Sequence, residues 1–325
     1  MFYLLLVFAL IFAFINGFRD ASSIMAGVIS SRALSPSLAL TLTGLAEFAA
    51  PFLFGVAVAT TLTTGLVKPQ EISLSTTVAA MAGALVWTVI AWATGIPSSS
   101  SHALVGGLLG AALTVGGPRA IIASGLYKVL LPLFLVPLLG MGAGYIAMKI
   151  FLFTTRNAAP RVNVLFQRLQ TVTMMTLALS HSANDAQKSM GMIALGLLLS
   201  GQITTFHIPF WVVAACATAI AFGASRGDWR LMRTLGRKIY VIRPINALAS
   251  QAASTVVILL SAIMGAPVST SQVISMALMG SGASERLGKV RWQVGTEMLM
   301  TWLLTIPVAM LIAALFVWLF NLLQL

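Results

Sequence analysis

The chain has 325 residues, of which 59% are hydrophobic and only 8% charged, and its mean hydropathy is +0.98. A soluble domain carries about a quarter charged residues, so this composition excludes a cytosolic enzyme, a disulfide-built secreted domain and a disordered tail. The formal charge of +12, from 19 Lys+Arg against 7 Asp+Glu, would suggest nucleic acid in a soluble protein. Here the basic residues lie mostly in short loops between apolar segments, where they act as topology signals and contacts for membrane lipid headgroups. No nucleic-acid partner is expected.

Apolar segments fall at roughly 1–33, 37–59, 77–95, 98–114, 119–148, 170–200, 207–225, 244–264, 267–283 and 293–323. They run continuously for about 20 residues, which suits helical spans. A transmembrane β-barrel would instead alternate in segments of about ten. The expected fold class is therefore all-α and polytopic. Met1 to Phe14 lacks a basic leader and a small-residue cleavage site, so it is expected to be a retained membrane helix. Segments 1–33 and 170–200 exceed the length of a span by about ten residues. Polar clusters interrupt both, Asn16-Gly17-Phe18-Arg19-Asp20 and His181-Ser182-Ala183-Asn184-Asp185. These clusters predict half-helices meeting at an unwound joint, tolerated only where it is buried in protein or lines a wet cavity. The single cysteine, Cys216, lies in an apolar run and reads as a packing residue.

Charge orients the segments. Residues 226–243 carry Arg226, Arg230, Arg233, Arg237, Lys238 and Arg243 against Asp228. The linker 149–168 carries Lys149, Arg156, Arg161 and Arg168 without an acid. Both are expected on the cytoplasmic side. Residues 60–76, with only Lys68 and Glu71, suit the outer side.

The chain also repeats itself. Gly95-Ile96-Pro97-Ser98-Ser99-Ser100-Ser101-His102 matches Gly265-Ala266-Pro267-Val268-Ser269-Thr270-Ser271-Gln272, and Asp20 matches Asp185 about 80 residues earlier in each half. Loops 60–76 and 226–243 hold equivalent places on opposite sides, so an odd number of crossings separates them. That holds if 98–114 and 267–283 each complete a crossing, giving five spans per half. The expected organisation is a first repeat over 1–148, a basic linker over 149–169, and an inverted second repeat over 170–325, with both termini outside. Inverted repeats with broken helices mark secondary transporters that bind substrate near the midplane.

Arg19, Asp20, Asp185 and Lys188 lie near the centres of long apolar segments, where each costs a few kcal/mol. They are expected to face inward and to pair, Arg19 with Asp20 or Asp185, and Asp185 with Lys188. The bland alternative is a set of salt bridges that only holds the repeats together. The sharper reading has the acids take a cation or proton and the bases attract an anion. Ser98, Ser99, Ser100 and Ser101, and again Ser269, Thr270 and Ser271, follow Gly-x-Pro stops. They can offer hydroxyls and free backbone N–H groups to an oxyanion at a helix N-terminus. Serines after proline are also common helix caps. His102 and His181 could carry protons. Glu47 and Glu297 are further acids in apolar segments, and Gln251 is expected at the place equivalent to Glu47, facing the same pathway. No zinc spacing, P-loop, nucleophile elbow or dinucleotide fingerprint occurs, so no enzymatic activity, metal centre or cofactor is expected.

These residues resemble the PiT inorganic phosphate transporter family. Asn16-Gly17-Phe18-Arg19-Asp20 through Ser35-Pro36 is similar to its first signature. Ser180 through Gly191, including Asn184-Asp185-Ala186-Gln187-Lys188, is similar to its second. Pro97 to Gly107 and Pro267 to Gly280 resemble the paired serine/threonine motifs, and Val290-Arg291-Trp292 with Trp302 and Thr305-Ile306-Pro307 resembles the final helix. The resemblance implies cation-coupled symport of phosphate by alternating access across a bacterial inner membrane. It would give the oxyanion to the two serine motifs and the cation to Asp20, Asn184 and Asp185. The residues themselves add Arg19, Gln187 and Lys188 as candidate oxyanion contacts, and Asn16, Glu47, Gln251, His181 and His102 as candidates for the coupling ion or proton.

Two departures from the family pattern matter. Arg19 stands where the family has Asn or His, and Lys188 stands where sodium-coupled members often have Asn. A cationic side chain is no ligand for a hard cation, so proton coupling or a metal–phosphate substrate is expected over sodium. Sulfate permeation within the same family and a passive anion channel are the competing readings. The loops also admit a homodimer and a cytosolic regulatory protein contacting 226–243.

Overall fold

The computed structural model describes residues 1–159, 161–228 and 243–324. Arg230, Arg233, Arg237 and Lys238, which the expected regulator contact includes, lie outside the described residues. The described chain forms eleven α-helices: α1 (Phe2–Ser30), α2 (Pro36–Leu53), α3 (Ala57–Leu62), α4 (Leu74–Thr94), α5 (Ser100–Gly116), α6 (Ala123–Thr154), α7 (Val162–Leu199), α8 (Phe210–Arg226), α9 (Pro244–Ile263), α10 (Thr270–Glu285) and α11 (Trp292–Leu322). Seven of them contain windows long and apolar enough to cross a membrane, and the chain is membrane-spanning.

α1 and α7 run antiparallel through the centre. Leu5 packs on Gly196, Asp20 meets His181, and the Ser31 hydroxyl donates to Gln170 Oε1 at 2.5 Å. Both helices are continuous, which corrects the expected joints at 16–20 and 181–185. The polar side chains there find partners on neighbouring helices, so the backbone keeps its own hydrogen bonds, the cheapest arrangement away from water. Gly17 is a contact residue and not a breaker. A Cβ on it would sit 2.0 Å from the Ile220 carbonyl oxygen, and one on Gly223 would sit 2.0 Å from that of Phe14, so α1 and α8 cross backbone to backbone. Small residues at such crossings are how membrane helices gain packing without a solvent driving force.

The chain breaks at the serine motifs instead. α4 starts with a capping box, Ser73 accepting from the Thr76 N–H at 3.2 Å and the Thr76 hydroxyl accepting from the Ser73 N–H. It stops at Gly95, whose φ of +73° is the left-handed region. α9 begins with Pro244 at its first turn, and Gly265, at φ +71°, follows its end. Proline then follows in both motifs, and α5 and α10 start after it. Each pair, α4–α5 and α9–α10, is a hairpin returning to the end it left. α10, at 16 residues, is about 24 Å long, beside the ~30 Å of a bilayer core. A partial hairpin and two full crossings both return the chain to the same side, so the expected parity of crossings is the same for either.

The hairpins enter from opposite ends. Hairpin α4–α5 starts beside Leu5 and Gly196, and segment 66–68 pairs with 120–122 there. Hairpin α9–α10 starts where the Gln170 side-chain amide donates to the Pro244 carbonyl, and it ends where Glu285 meets Arg243, Lys289 and Asn246. Arg32, Lys149, Arg156, Arg161, Arg168, Arg226, Arg243, Arg286, Lys289 and Arg291 gather at this second, basic end. The other end holds Lys68, Glu71, Arg119 and Lys128. Packing exchanges between the halves: α6 lies on α10 as α11 lies on α5, α8 on α1 as α2 on α7, and α11 on α4 as α6 on α9.

Candidate functional site

The two hairpin tips meet inside the bundle, where the Ser101 hydroxyl donates to the Val268 carbonyl at 2.7 Å. The middles of α1, α2 and α7 complete the site. On α7, the spacing of His181, Asp185 and Lys188 sets three ionisable groups on one face of a continuous helix. The Lys188 ammonium lies 2.7 Å from Asp185 Oδ2 and donates to the Val268 carbonyl at 3.3 Å. His181 lies among carboxylates from three helices. Its Nδ1 is 2.9 Å from Glu47 Oε1 on α2, and its Nε2 is 3.3 Å from Asp20 Oδ2 on α1 and 3.9 Å from Asp185 Oδ2. Asp185 also accepts from the Thr270 hydroxyl at 3.2 Å. All of these groups are buried.

Arg19 does not pair with Asp20 or Asp185 as expected. Asp20 turns to His181, and the Arg19 Nη2 donates to the Ser98 carbonyl at 3.0 Å. Ser98 and Val268 occupy matching places in the two motifs, so a cation from each central helix holds the turn of one tip. Asn184 adds a second grip on the second tip, donating to the Ala266 carbonyl at 3.0 Å and accepting from the Val268 N–H at 3.3 Å. Ser99 caps α5 through the His102 N–H at 3.3 Å. Ser100, Ser269 and Thr270 are buried and Ser271 is half-buried.

Some expected residues lie elsewhere. Gln187 faces α3, accepting from the Val58 and Ala59 N–H groups at 2.8 and 3.2 Å and donating to the Ala183 carbonyl at 2.6 Å. Gln251 accepts from the Thr173 hydroxyl and donates to the Ile24 carbonyl. It sits on α9, whose packing counterpart is α4, so it is not the equivalent of Glu47 on α2. His102 packs against the rings of Phe134 and Trp302, 5.4 and 6.5 Å between centroids, away from the carboxylates. Asn16 is buried one turn before Asp20, at the place His181 takes before Asp185. Glu297 is exposed. Nothing in the sequence marks Trp87, and Thr305 is marked only as part of the final-helix motif; their side chains hold the Ser98 hydroxyl at 2.9 and 3.0 Å. Trp92 was also missed, and Asp228, noted there only as the lone acid of a basic loop, accepts its indole N–H at 2.8 Å. Among these, only the isolation of Asp228 in a basic segment signalled a role.

Asp20, His181 and Asp185 present ligand atoms within 4.8 Å of one another, so they could hold a cation. His181 is in reach of three buried carboxyl groups, Asp20, Glu47 and Asp185, with Lys188 on Asp185 and Arg19 on the Ser98 carbonyl close by. Unbalanced burial would cost several kcal/mol per ion. The chemistry available here is the exchange of a proton or cation beside two hydroxyl-rich helix starts.

A family model described as “Phosphate transporter family” matches residues 16–313. The chain is 39% identical over 315 residues to a protein of Mycobacterium bovis named “Probable low-affinity inorganic phosphate transporter”, covering 96% of this chain and 75% of that one. It is 37% identical over 323 residues to a protein of Bacillus subtilis with the same name, covering 98% and 96%. A solved structure described as “The sodium-dependent phosphate transporter” superposes with a TM-score of 0.91 at 21% identity, over 99% of both chains, and so shares the fold. With helices, hairpin tips and buried charge arranged as above, the chain belongs to the phosphate transporter family, as a membrane-spanning transporter and not an enzyme.

Proposed function

We propose that the protein carries inorganic phosphate across the bacterial inner membrane by proton-coupled symport, alternating access between two inverted repeats, with its basic end and the basic loops 149–168 and 226–243 in the cytoplasm and both termini outside. Phosphate sits between the starts of α5 and α10, held by the hydroxyls and N–H groups of Ser98–Ser101 and Ser269–Ser271. The exchanged packing of the halves supports the repeat, and the charge asymmetry of the ends supports the orientation.

The observation that carries the coupling is Lys188. Its ammonium lies 2.7 Å from Asp185, one of the three residues that could hold a metal ion, so a fixed cation competes with a metal for that carboxylate. The mobile positive charge is then a proton on His181, which faces Asp20, Glu47 and Asp185, with Arg19 and Lys188 the other charges nearby. Proteoliposomes given an inward proton gradient should accumulate labelled phosphate without sodium, and unlabelled phosphate should compete better than sulfate. Sodium-dependent uptake indifferent to pH would reject the coupling. Lys188→Asn should shift dependence toward sodium, measured as at least about a tenfold change in the ratio of sodium-driven to proton-driven rates, equivalent to about 1.4 kcal/mol.

A further inference from the structure

Residues matching each other in the two halves hold matching segments on opposite sides of the charged cluster. Gln187 is two residues beyond Asp185 on α7, and Ser22 is two residues beyond Asp20 on α1. Because α1 and α7 run antiparallel, the two lie on opposite sides of the carboxylate–imidazole cluster. Gln187 receives the first N–H groups of α3, the segment that follows α2, and Gly265 of the second hairpin tip packs against Ala57 and Thr61 of that helix. Ser22 donates to the Asp228 carbonyl at 2.9 Å, just after α8. Asp228 in turn donates its N–H to the Phe18 carbonyl at 3.1 Å and accepts from Trp92, on the last turn of α4 before the first tip. Phe18 and Trp92 rings meet edge to face at 6.1 Å. Each tip is thus tied, through a segment of the opposite half of the chain, to a polar residue of a central helix. Ser22 is fully buried, and Gln187 and Asp228 nearly so.

We propose that Gln187 and the Ser22–Asp228–Trp92 chain are the positioning residues of two opposed closures. Gln187 with α3 seals the second hairpin tip from the end of loop 63–72, and Asp228 seals the first tip from the basic end. Breaking one set opens the site toward one side only. This rests on the alternating-access reading given above, but its test does not require phosphate to be the substrate.

The test is cysteine labelling with a membrane-impermeant maleimide in vesicles of both orientations. The reporter is Ser269→Cys at the start of α10, in a Cys216→Ala background. With both pins intact, labelling is slow from either side. Gln187→Leu should raise the rate at least about tenfold from the loop 63–72 side alone, and Asp228→Ala or Trp92→Phe should do so from the basic end alone. Asp228→Asn, which keeps an acceptor for the indole, should restore slow labelling. Size-exclusion profiles identify any variant that misfolds, and Trp92→Phe, which removes the N–H donor while keeping an aromatic ring beside Phe18, serves where Asp228→Ala does. Unchanged labelling, or equal gains from both sides, would overturn the proposal. One-sided labelling in a protein that moves no phosphate would uphold the pins and reject the transport reading. Phosphate uptake with labelling insensitive to all three variants would do the reverse.

Discussion

Asp185→Asn should reduce phosphate uptake in proteoliposomes to background and lower thermal stability in the same preparation. The carboxylate serves three partners: Lys188 at 2.7 Å, the Thr270 hydroxyl at 3.2 Å and the His181 ring at 3.9 Å. The amide keeps the volume and an acceptor for Thr270, so packing changes little. It strips a buried ammonium of its counterion, a loss of about 3–5 kcal/mol when one partner of a buried pair is removed. It also leaves His181 facing two carboxylates instead of three, which removes one partner of the proposed coupling site. A double variant with Lys188→Met separates the effects, because it removes the orphaned charge along with its partner. Stability should then recover by most of the lost amount while uptake stays at background, the non-additivity expected of residues in direct contact. Flux retained in Asp185→Asn would favour a passive anion pathway, which has no need of a buried acid.

The second large effect should come from the smallest change. Alanine stabilises most helices by about 1 kcal/mol over glycine, yet Gly17→Ala should destabilise this protein by about 2–3 kcal/mol, read as a lowered unfolding temperature in detergent. The added carbon would lie 2.0 Å from the Ile220 carbonyl oxygen and 3.0 Å from the Ala224 nitrogen. Both are backbone atoms, so no side chain can swing aside, and α1 must move off α8. Overpacking of this kind costs about 1–3 kcal/mol. That motion also shifts Asp20 and Arg19, which lie within a turn of Gly17, so uptake should fall with stability. Gly142→Ala is the control. It lies on α6, where a Cβ meets nothing within 4 Å, and its unfolding temperature should not fall.

Much of the architecture is legible in the amino-acid order because lipid imposes a coarse and nearly local rule. A segment either has enough apolar residues to cross or it does not, and basic loops bias one side. Composition therefore determined an all-helical membrane protein, and the doubled Gly-x-Pro-serine motifs located both chain breaks at the hairpin tips. The identities of the buried ions were legible too, since Arg19, Asp20, Asp185 and Lys188 interrupt apolar runs. Their partners were not. Whether Arg19 meets a carboxylate or the Ser98 carbonyl depends on where a hairpin 79 positions away stops, and no local spacing encodes that. Glu47 joins His181 from 134 positions away, by the packing of α2 on α7. The polar runs at 16–20 and 181–185 read as breaks because exposed polar groups in lipid would force one. The fold removed the need by supplying partners from adjacent helices, so α1 and α7 stayed whole. The amino-acid order by itself determined that the chain is helical and membrane-spanning and that Arg19, Asp20, Asp185 and Lys188 are buried ions. Only the tertiary structure decided which of those groups touch, because burial is a property of segments, whereas pairing is a property of the distances between them.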